Sequence, residues 1–358
     1  MKHGIYAPTL NDYGDPKRLV ALAVESERAG FDAFFIYDVL VMEQGWEVAD
    51  ATVALGAIAQ ATQRIRIGAM ITAVARRRPW KLAKELVTLD HLSDGRVTLG
   101  IGLGEPADIE FGNFGDDPSP KGRAERLDEG LAILDPMIRG ESVNFHGKHF
   151  DVRDTRLAPR CVQRPRIPIW GAAALPAHAG LRRAARWDGL FPILFPDPPV
   201  KRDDGSWDWE HFWLDPDGLA EVAKATLKYR AAFSPDLDPS DFDFVASGDT
   251  RNDSGEQARA KIAAFESAGA TWWLEWIDDR VGSYEASLDH VRRGPACPAT
   301  QPPMNRSRRP RYAPSPRRGH LWTSWNSGRL GSLLAASRRR RHCLAESGVR
   351  RRGRSAAR

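Results

Sequence analysis

The chain has 358 residues, 42% hydrophobic and 28% charged, with three Cys and a formal net charge of +5. That length suits one large α/β barrel or two ordinary domains, and no run of about 18 apolar residues marks a membrane span. The charge is unevenly placed: residues 301–358 hold sixteen Arg, no Lys and a single acid, Glu346, a formal +15 that leaves about −10 on the preceding residues.

The first element expected is a strand over 3–7, with no apolar signal core or cleavage site before it. A helix over 16–29 follows, with Leu19, Val20, Ala23 and Val24 on one face. Glu27-Arg-Ala-Gly30 reads as its exit, because glycine reaches left-handed dihedrals at no steric cost. The second strand, 31–37, runs to Asp38. A helix over 49–62 leads to a third strand, 65–71, and a helix starting at Pro79 carries Leu82, Ala83, Leu86, Leu89 and Leu92 on one face. It stops at Ser93-Asp-Gly95, and the fourth strand, 97–101, runs into Gly102, Gly104 and Glu105.

Residues 104–166 interrupt the rhythm with a long loop, a helix over 123–139 and a hairpin around Asn144-Phe-His-Gly-Lys148. Strands over 167–170 and 189–193 flank a helix over 176–186. A second insertion, 195–215, carries Trp207, Trp209, Phe212 and Trp213, read either as a substrate lid or as a satellite core. Helices over 216–233, 255–267 and 283–293 alternate with strands over 242–246 and 271–276. Eight short, apolar strands alternating with helices predict a (β/α)8 TIM barrel, with insertions after strands 4 and 6. A doubly wound open sheet is the alternative.

The expected domains are a barrel over 1–295 and a basic tail over 296–358. The tail lacks sustained periodicity and cannot bury enough apolar surface to offset chain entropy. It is read as disordered, and three origins stay open: an out-of-frame stretch of a GC-rich gene, an inert tail, or an Arg-rich arm that attracts phosphates. Cys161, Cys297 and Cys343 form neither a metal-ligand spacing nor a disulfide framework, which fits a reducing cytoplasm.

The stretch ending in Gly100-Ile-Gly-Leu-Gly-Glu105 is the most informative for chemistry. A dinucleotide fingerprint would need a helix to open at once, and here Glu105-Pro106 leads into a loop. Gly102 and Gly104 at a strand end would let a flat group approach the backbone, with Glu105 as a candidate acid. Gly171-Ala-Ala-Ala174 before a helix start would let backbone N–H groups reach a phosphate.

Several segments, in order, resemble the bacterial luciferase-like monooxygenase superfamily over residues 1–295. They are Ala29-Gly-Phe-Asp-Ala-Phe-Phe-Ile-Tyr-Asp38, Ala61-Thr-Gln-Arg-Ile-Arg-Ile-Gly68, Arg78-Pro-Trp-Lys-Leu-Ala83, Leu89-Asp-His-Leu-Ser-Asp-Gly-Arg96, Gly100-Ile-Gly-Leu-Gly-Glu105, Pro168-Ile-Trp-Gly-Ala-Ala-Ala174 and Ala184-Ala-Arg-Trp-Asp-Gly189. The resemblance implies an oxidoreductase or monooxygenase that uses reduced FMN or the deazaflavin coenzyme F420 on a small organic substrate. It implies Glu105 and Asp38 as acid–base groups, and Ala69, Met70, Ile71, Gly102, Gly104, Gly171, Ala172, Ala173 and Ala174 around the cofactor. At 69–71 family members often carry a bulge or a non-proline cis peptide under the ring.

One departure matters. The family often has His after the acid of the second strand, and here Val39 stands there. His91, near a helix end, reads as a surface residue and not as a replacement. Arg76-Arg-Arg78 suits either phosphate or solvent. The Glu at 105 tilts the reading toward the deazaflavin. Expected partners are a second copy of the chain and, for FMN, a separate flavin reductase; no membrane, nucleic acid or metal is expected. A barrel that binds flavin without turnover and a tail-driven nucleic-acid binder are the readings from other classes.

Overall fold

The computed structural model describes residues 1–42, 45–195, 212–233, 238–278 and 282–296, and Met1–Thr300 form one compact unit. The strands are β1 (Lys2–Ala7), β2 (Ala33–Ile36), β3 (Arg66–Ala69), β4 (Thr72–Ala73), β5 (Leu99–Gly102), β6 (Ser142–His146), β7 (Asp151–Arg156), β8 (Ile169–Leu175), β9 (Gly189–Leu194), β10 (Asp243–Gly248) and β11 (Trp272–Trp276). The helices are α1 (Pro16–Ala29), α2 (Ala51–Ala61), α3 (Pro79–Leu92), α4 (Ala107–Glu110), α5 (Pro120–Arg139), α6 (His178–Ala184), α7 (Pro216–Phe233), α8 (Gly255–Ser267) and α9 (Tyr284–Arg292).

Among the described residues the main sheet has the order β3-β2-β1-β11-β10-β9-β8-β5-β4, with every pair parallel. β4 continues β3 after a break at Met70–Ile71, whose peptide bond is cis. The two ends of the sheet are therefore one interrupted strand. The barrel closes where Ile67 pairs with Val97, through Ile67 N–H to Arg96 O (3.0 Å) and Thr98 N–H to Ile67 O (2.9 Å). These eight strand positions are the ones expected from the sequence. The hairpin of β6 and β7 and the helix α5 occupy the insertion after β5. The basic tail and residues 196–211 of the second insertion, including Trp207 and Trp209, lie outside the described residues.

Strand alternation sorts the side chains into two cores. Inside the barrel, Phe35, Trp170 and Trp272 fill the lower half, with ring centroids 5.3 to 6.4 Å apart. Outside it, the aliphatic faces of α1 to α3 and α5 pack on the sheet around Ile5, Phe34, Ile67, Leu99 and Ile169. Apolar residues of β2, β5, β10 and β11 are thus removed from water on both faces, which accounts for their nearly unbroken hydrophobic sequences.

The exits of the helices carry a second constraint. Gly30 ends α1 at φ +96°, and the Glu27 side chain one turn earlier accepts hydrogen bonds from the backbone N–H groups of Gln63, Arg64 and Ile65 at 2.6 to 3.1 Å. One carboxylate thereby ties α1 to the start of β3. Burial acts to raise the Glu27 carboxyl, but those three N–H donors and the Arg64 charge outweigh it and hold the group below its ordinary value.

A folded-state value below the unfolded one means stability that is present above the unfolded pKa of about 4.3 and lost as pH falls through the folded value. Glu27→Gln is therefore expected to lower the urea midpoint at pH 7. The difference from the parent should shrink steadily below about pH 4. Urea titrations at several pH values check this; a constant difference would show that charge at Glu27 plays no part.

Candidate active site

The C-terminal ends of the strands form the mouth of the barrel, where this architecture builds its sites. Its shape depends on how the broken third strand meets β5. A Cβ at Gly68 would collide with the carbonyl oxygen of Thr98, and one at Gly100 would lie 2.6 Å from both the Ala69 oxygen and the Met70 sulfur. The space at Gly102 is taken by the Ile71 side chain. The glycines of β5 therefore receive Met70 and Ile71, and Ile71, partly exposed, is the surface that faces the mouth.

Across the mouth the walls differ. On β8, Ala172 and Ala174 share the inward face of Trp170 and offer only methyl groups. On the other side stand Tyr6, Tyr37, Phe191, Trp213 and Trp276. Tyr6 lies 4.7 Å from Tyr37 and 5.5 Å from Phe191, and Trp213 lies 5.5 Å from Trp276, ring centre to ring centre. The Trp276 indole donates to the Tyr37 hydroxyl (2.6 Å), which donates to Oδ2 of the fully buried Asp278 (3.3 Å). Trp213 Nε1 is buried with no hydrogen-bond partner among the described residues.

Charge gathers on the rim in two places. Asp38 is buried, and both its oxygens accept from Arg77 (2.8 Å each) while Oδ1 also accepts from Arg76 (3.0 Å). Arg76 makes a second ion pair with Glu110 of α4, whose other oxygen accepts from the N–H groups of Leu40 (2.6 Å) and Val41 (2.8 Å). Burial, partly offset by Asp38, pulls the Arg76 guanidinium below its ordinary value. This cluster pins the segment after β2 and the first insertion to the third strand. In the second place, Glu105 pairs with Arg123 of α5 (3.0 Å) and accepts from Ala107 N–H (2.9 Å). Arg123 is 3% exposed, binds the Gly104 and Pro118 carbonyl oxygens and lies over the Phe111 ring. Glu105 keeps 55% of its side chain in solvent.

The sequence-predicted residues therefore separate into groups. Ile71, Ala172 and Ala174 meet at the mouth, with Ala69, Met70, Gly102 and Gly104 beneath or beside it. Gly171 and Ala173 do not: they face outward, where a Cβ at Gly171 would lie 2.7 Å from Ala184 of α6, and Ala173 is fully buried. The turn expected at 171–174 is strand, because β8 pairs with β9 as far as Leu175↔Leu194. Asp38 and Glu105 sit on the rim in separate ion-pair systems. Arg76 and Arg77 are committed to carboxylates. His91 is exposed and its Nε2 meets the Arg160 carbonyl oxygen (2.9 Å), the surface role expected of it. Tyr37, Glu110, Arg123 and Asp278 went unnoticed in the sequence. Tyr37 and Asp278 did carry a signal, since each follows the last paired residues of an expected strand.

A planar ring system of the flavin type fits this geometry. Small methyl side chains on β8 beside Ile71 give a smooth apolar surface that suits a flat group, the neighbouring rings can stack on a substrate, and proton-carrying side chains stand at the edge. Among the described residues no group of His, Cys, Asp and Glu is arranged to hold a metal.

Comparison with known proteins agrees with the fold. Residues 1–203 match the family model described as luciferase-like monooxygenase. An F420-dependent glucose-6-phosphate dehydrogenase of Microbacterium testaceum is 32% identical over 180 residues, 49% of this chain and 52% of that protein. A 4-hydroxyprotoasukamycin monooxygenase of Streptomyces nodosus subsp. asukaensis is 31% identical over 173 residues, 47% of this chain and 45% of that protein. The chain spans about half the length of the curated relatives it matches. Among solved structures, an F420-dependent secondary alcohol dehydrogenase in complex with an F420–acetone adduct superposes with a TM-score of 0.63 at 18% identity, covering 82% of this chain and 99% of that one.

Removing Glu110 would leave the buried Arg76 and two N–H groups short of an acceptor. Breaking one partner of such a pair costs about 3–5 kcal/mol. Glu110→Ala is expected to lose that much stability in urea titration. Glu110→Gln, which keeps an oxygen for the two N–H groups, should lose less. Equal losses would show that the backbone hydrogen bonds do not contribute.

Proposed function

The chain belongs to the luciferase-like monooxygenase family, and from that premise we propose that it is a flavin- or deazaflavin-dependent oxidoreductase acting on a small organic substrate at the mouth of the barrel. The observation that carries the reading is the Ile71 surface set beside Ala172 over Gly102, with the aromatic rings of the interior cluster around the same mouth. Relatives of both kinds exist, one named for F420 and one for monooxygenation. The deazaflavin is preferred because Glu105 stands on the rim beside the proposed ring site. Coenzyme F420 supplies hydride transfer when bound.

The chain's own residues do the rest. Ile71, Ala172 and Ala174 set the plane of the ring. Tyr6, Phe191, Trp213 and Trp276 enclose the substrate and exclude water, which strengthens every electrostatic contact there. Glu105, held by Arg123 yet half in solvent, exchanges protons at its free edge. Asp38 keeps the end of β2, and so Tyr37, in place through Arg76 and Arg77. FMN with a separate flavin reductase and oxygen is the second reading, favoured by the monooxygenase relative.

Two further attributes belong to the proposal. No helix of the described residues is long and apolar enough to cross a membrane, and we place the enzyme in the cytoplasm. We also place a second copy of the chain on the outer face of α2, which has no charged residue from Ala51 to Ala61 and exposes 71% of Val53. Val53→Asp is expected to convert a dimer to monomers in analytical ultracentrifugation without loss of fold. A parent that sediments as a monomer would remove the assignment.

Spectral titration of the full chain with F420 and with FMN tests the cofactor, and the deazaflavin is expected to bind more tightly. Glu105→Gln keeps the shape of the side chain but cannot ionise. It should bind F420 within a few-fold of the parent while kcat falls by about 10²–10⁴-fold. Parental turnover in the variant would make Glu105 a rim anchor only.

A further inference from the structure

The last strand carries a buried carboxylate that the mouth does not use. Leu274 and Trp276 of β11 belong to the interior cluster, so Trp273 and Glu275, which alternate with them, point to the helix side. Glu275 is buried. Its Oε1 accepts from the Thr250 N–H (2.6 Å), the Thr250 hydroxyl (3.0 Å) and His290 Nε2 (3.0 Å), and its Oε2 accepts from the Trp273 indole (2.9 Å). His290 of α9 is buried too, and its second ring nitrogen, Nδ1, lies 2.7 Å from Nη2 of Arg293. A guanidinium donates and cannot accept, so Nδ1 is the acceptor in that contact. The proton of the ring is therefore on Nε2, where it faces Glu275. In this arrangement the imidazole is uncharged and stands between a buried carboxylate and a guanidinium.

We infer that His290 is a proton-operated latch on the end of α9. A proton taken up at Nδ1 turns that nitrogen into a donor, and the contact with Arg293 then sets hydrogen against hydrogen. Arg293 leaves, and the imidazolium replaces it as the cation beside Glu275. The carboxylate stays compensated through the exchange, so the barrel keeps its fold while the chain leaving α9 is let go. The inference goes beyond the cofactor reading and does not depend on it. The surrounding charges come from every neighbouring element. Arg293 also donates to the Arg251 carbonyl oxygen (3.5 Å), and Arg251 is held by Asp249 (2.7 and 3.0 Å) and lies 3.5 Å from the Ser287 hydroxyl. Lys261 of α8 reaches the Asp249 carbonyl oxygen (3.0 Å) and Asp253 (2.8 Å). Beside α1, Arg292 pairs with Glu25 (3.5 Å) and with Asp289 (3.2 Å). His3 of β1 also feels the Glu275 charge, but burial pulls its imidazole below the ordinary value. Carboxylates and guanidiniums do not change charge in the ordinary imidazole range, so the response there belongs to the ring.

The test uses the full chain with isotopically labelled histidine. Long-range proton–nitrogen correlation spectra identify the His290 ring as the signal that His290→Gln removes. At about pH 8 that ring is expected as the Nε2–H tautomer, and both nitrogens become protonated as pH falls through the imidazole range. The N–H groups of Arg293 and Gly294, which bond the His290 and Val291 carbonyl oxygens (3.1 and 3.0 Å), report the release. Their hydrogen exchange, read by mass spectrometry and corrected for the intrinsic effect of pH, should rise by about 10-fold at the same midpoint, as one charge-assisted hydrogen bond is lost. His290→Gln keeps a donor for Glu275 and an acceptor for Arg293 but takes no proton, and should show no such step. Arg293→Met alters an exposed residue, and its exchange should already be fast at about pH 8. If His290→Gln does not fold, the shared midpoint in the parent and the exchange of Arg293→Met decide. An Nδ1–H tautomer at about pH 8 overturns the latch. So does a ring that stays neutral until the whole chain unfolds, a protonated ring with unchanged exchange at 293–294, or a pH step that survives in His290→Gln.

Discussion

The fit of one interrupted strand against a run of glycines sets the geometry of everything above it. Gly68 touches the Thr98 carbonyl, Gly100 admits Met70, and Gly102 admits Ile71. Close packing leaves no slack for a side chain at any of these points. The barrel closes there because the backbones approach, and the apolar surface at the mouth exists there because Ile71 is turned across β5. Closure and site are consequences of the same contact. This also assigns the Gly-Ile-Gly-Leu-Gly run a role different from bare access to a ligand: the glycines make room for the protein's own side chains first.

The rim is ordered by charge. Asp38, Arg76 and Glu110 link the loop after β2, the turn after β4 and the first insertion, and Arg123 draws α5 toward Glu105. Buried ion pairs add little net stability beside well-packed apolar groups, but each is costly to break singly. Their effect here is register: two loops and an insertion are held in one arrangement. With Val39 in place of an imidazole, the carboxylate beside it is committed to this bracing.

Much of the barrel could be read from the residues. The eight apolar runs and the amphipathic helices between them were legible because burial on both faces leaves an unbroken hydrophobic signature, as in the stretch Ala33–Ile36. The end of α1 and both ends of α3 followed from signals such as Gly30, Pro79 and Ser93-Asp-Gly95. The end of β8 did not, because Gly-Ala-Ala-Ala has poor strand propensity by itself and is held extended by pairing with β9, a partner that local pattern cannot show. The mouth of the barrel was legible at Ile71 and Glu105, which follow β3 and β5, whereas Ala172, expected in a turn, lies inside β8. The partnership of Tyr37 with Asp278, 241 positions apart, and that of Arg76 with Glu110 depend on closure of the barrel, so no local signal announces them.

That separation has a consequence during synthesis. Tyr6 and Tyr37 leave the ribosome early, whereas Trp276 and Asp278 emerge only after most of the barrel has been made. Contacts of such sequence span form late and slow folding. A nascent chain that has reached β9 can carry both tyrosines, Ala172 and Ala174, yet it lacks the tryptophan that orients the phenol and the acid that receives its hydrogen. The hydrogen-bonded group of Trp276, Tyr37 and Asp278 therefore forms only with the final strand, and a barrel that stops at β9 holds the two tyrosines without it.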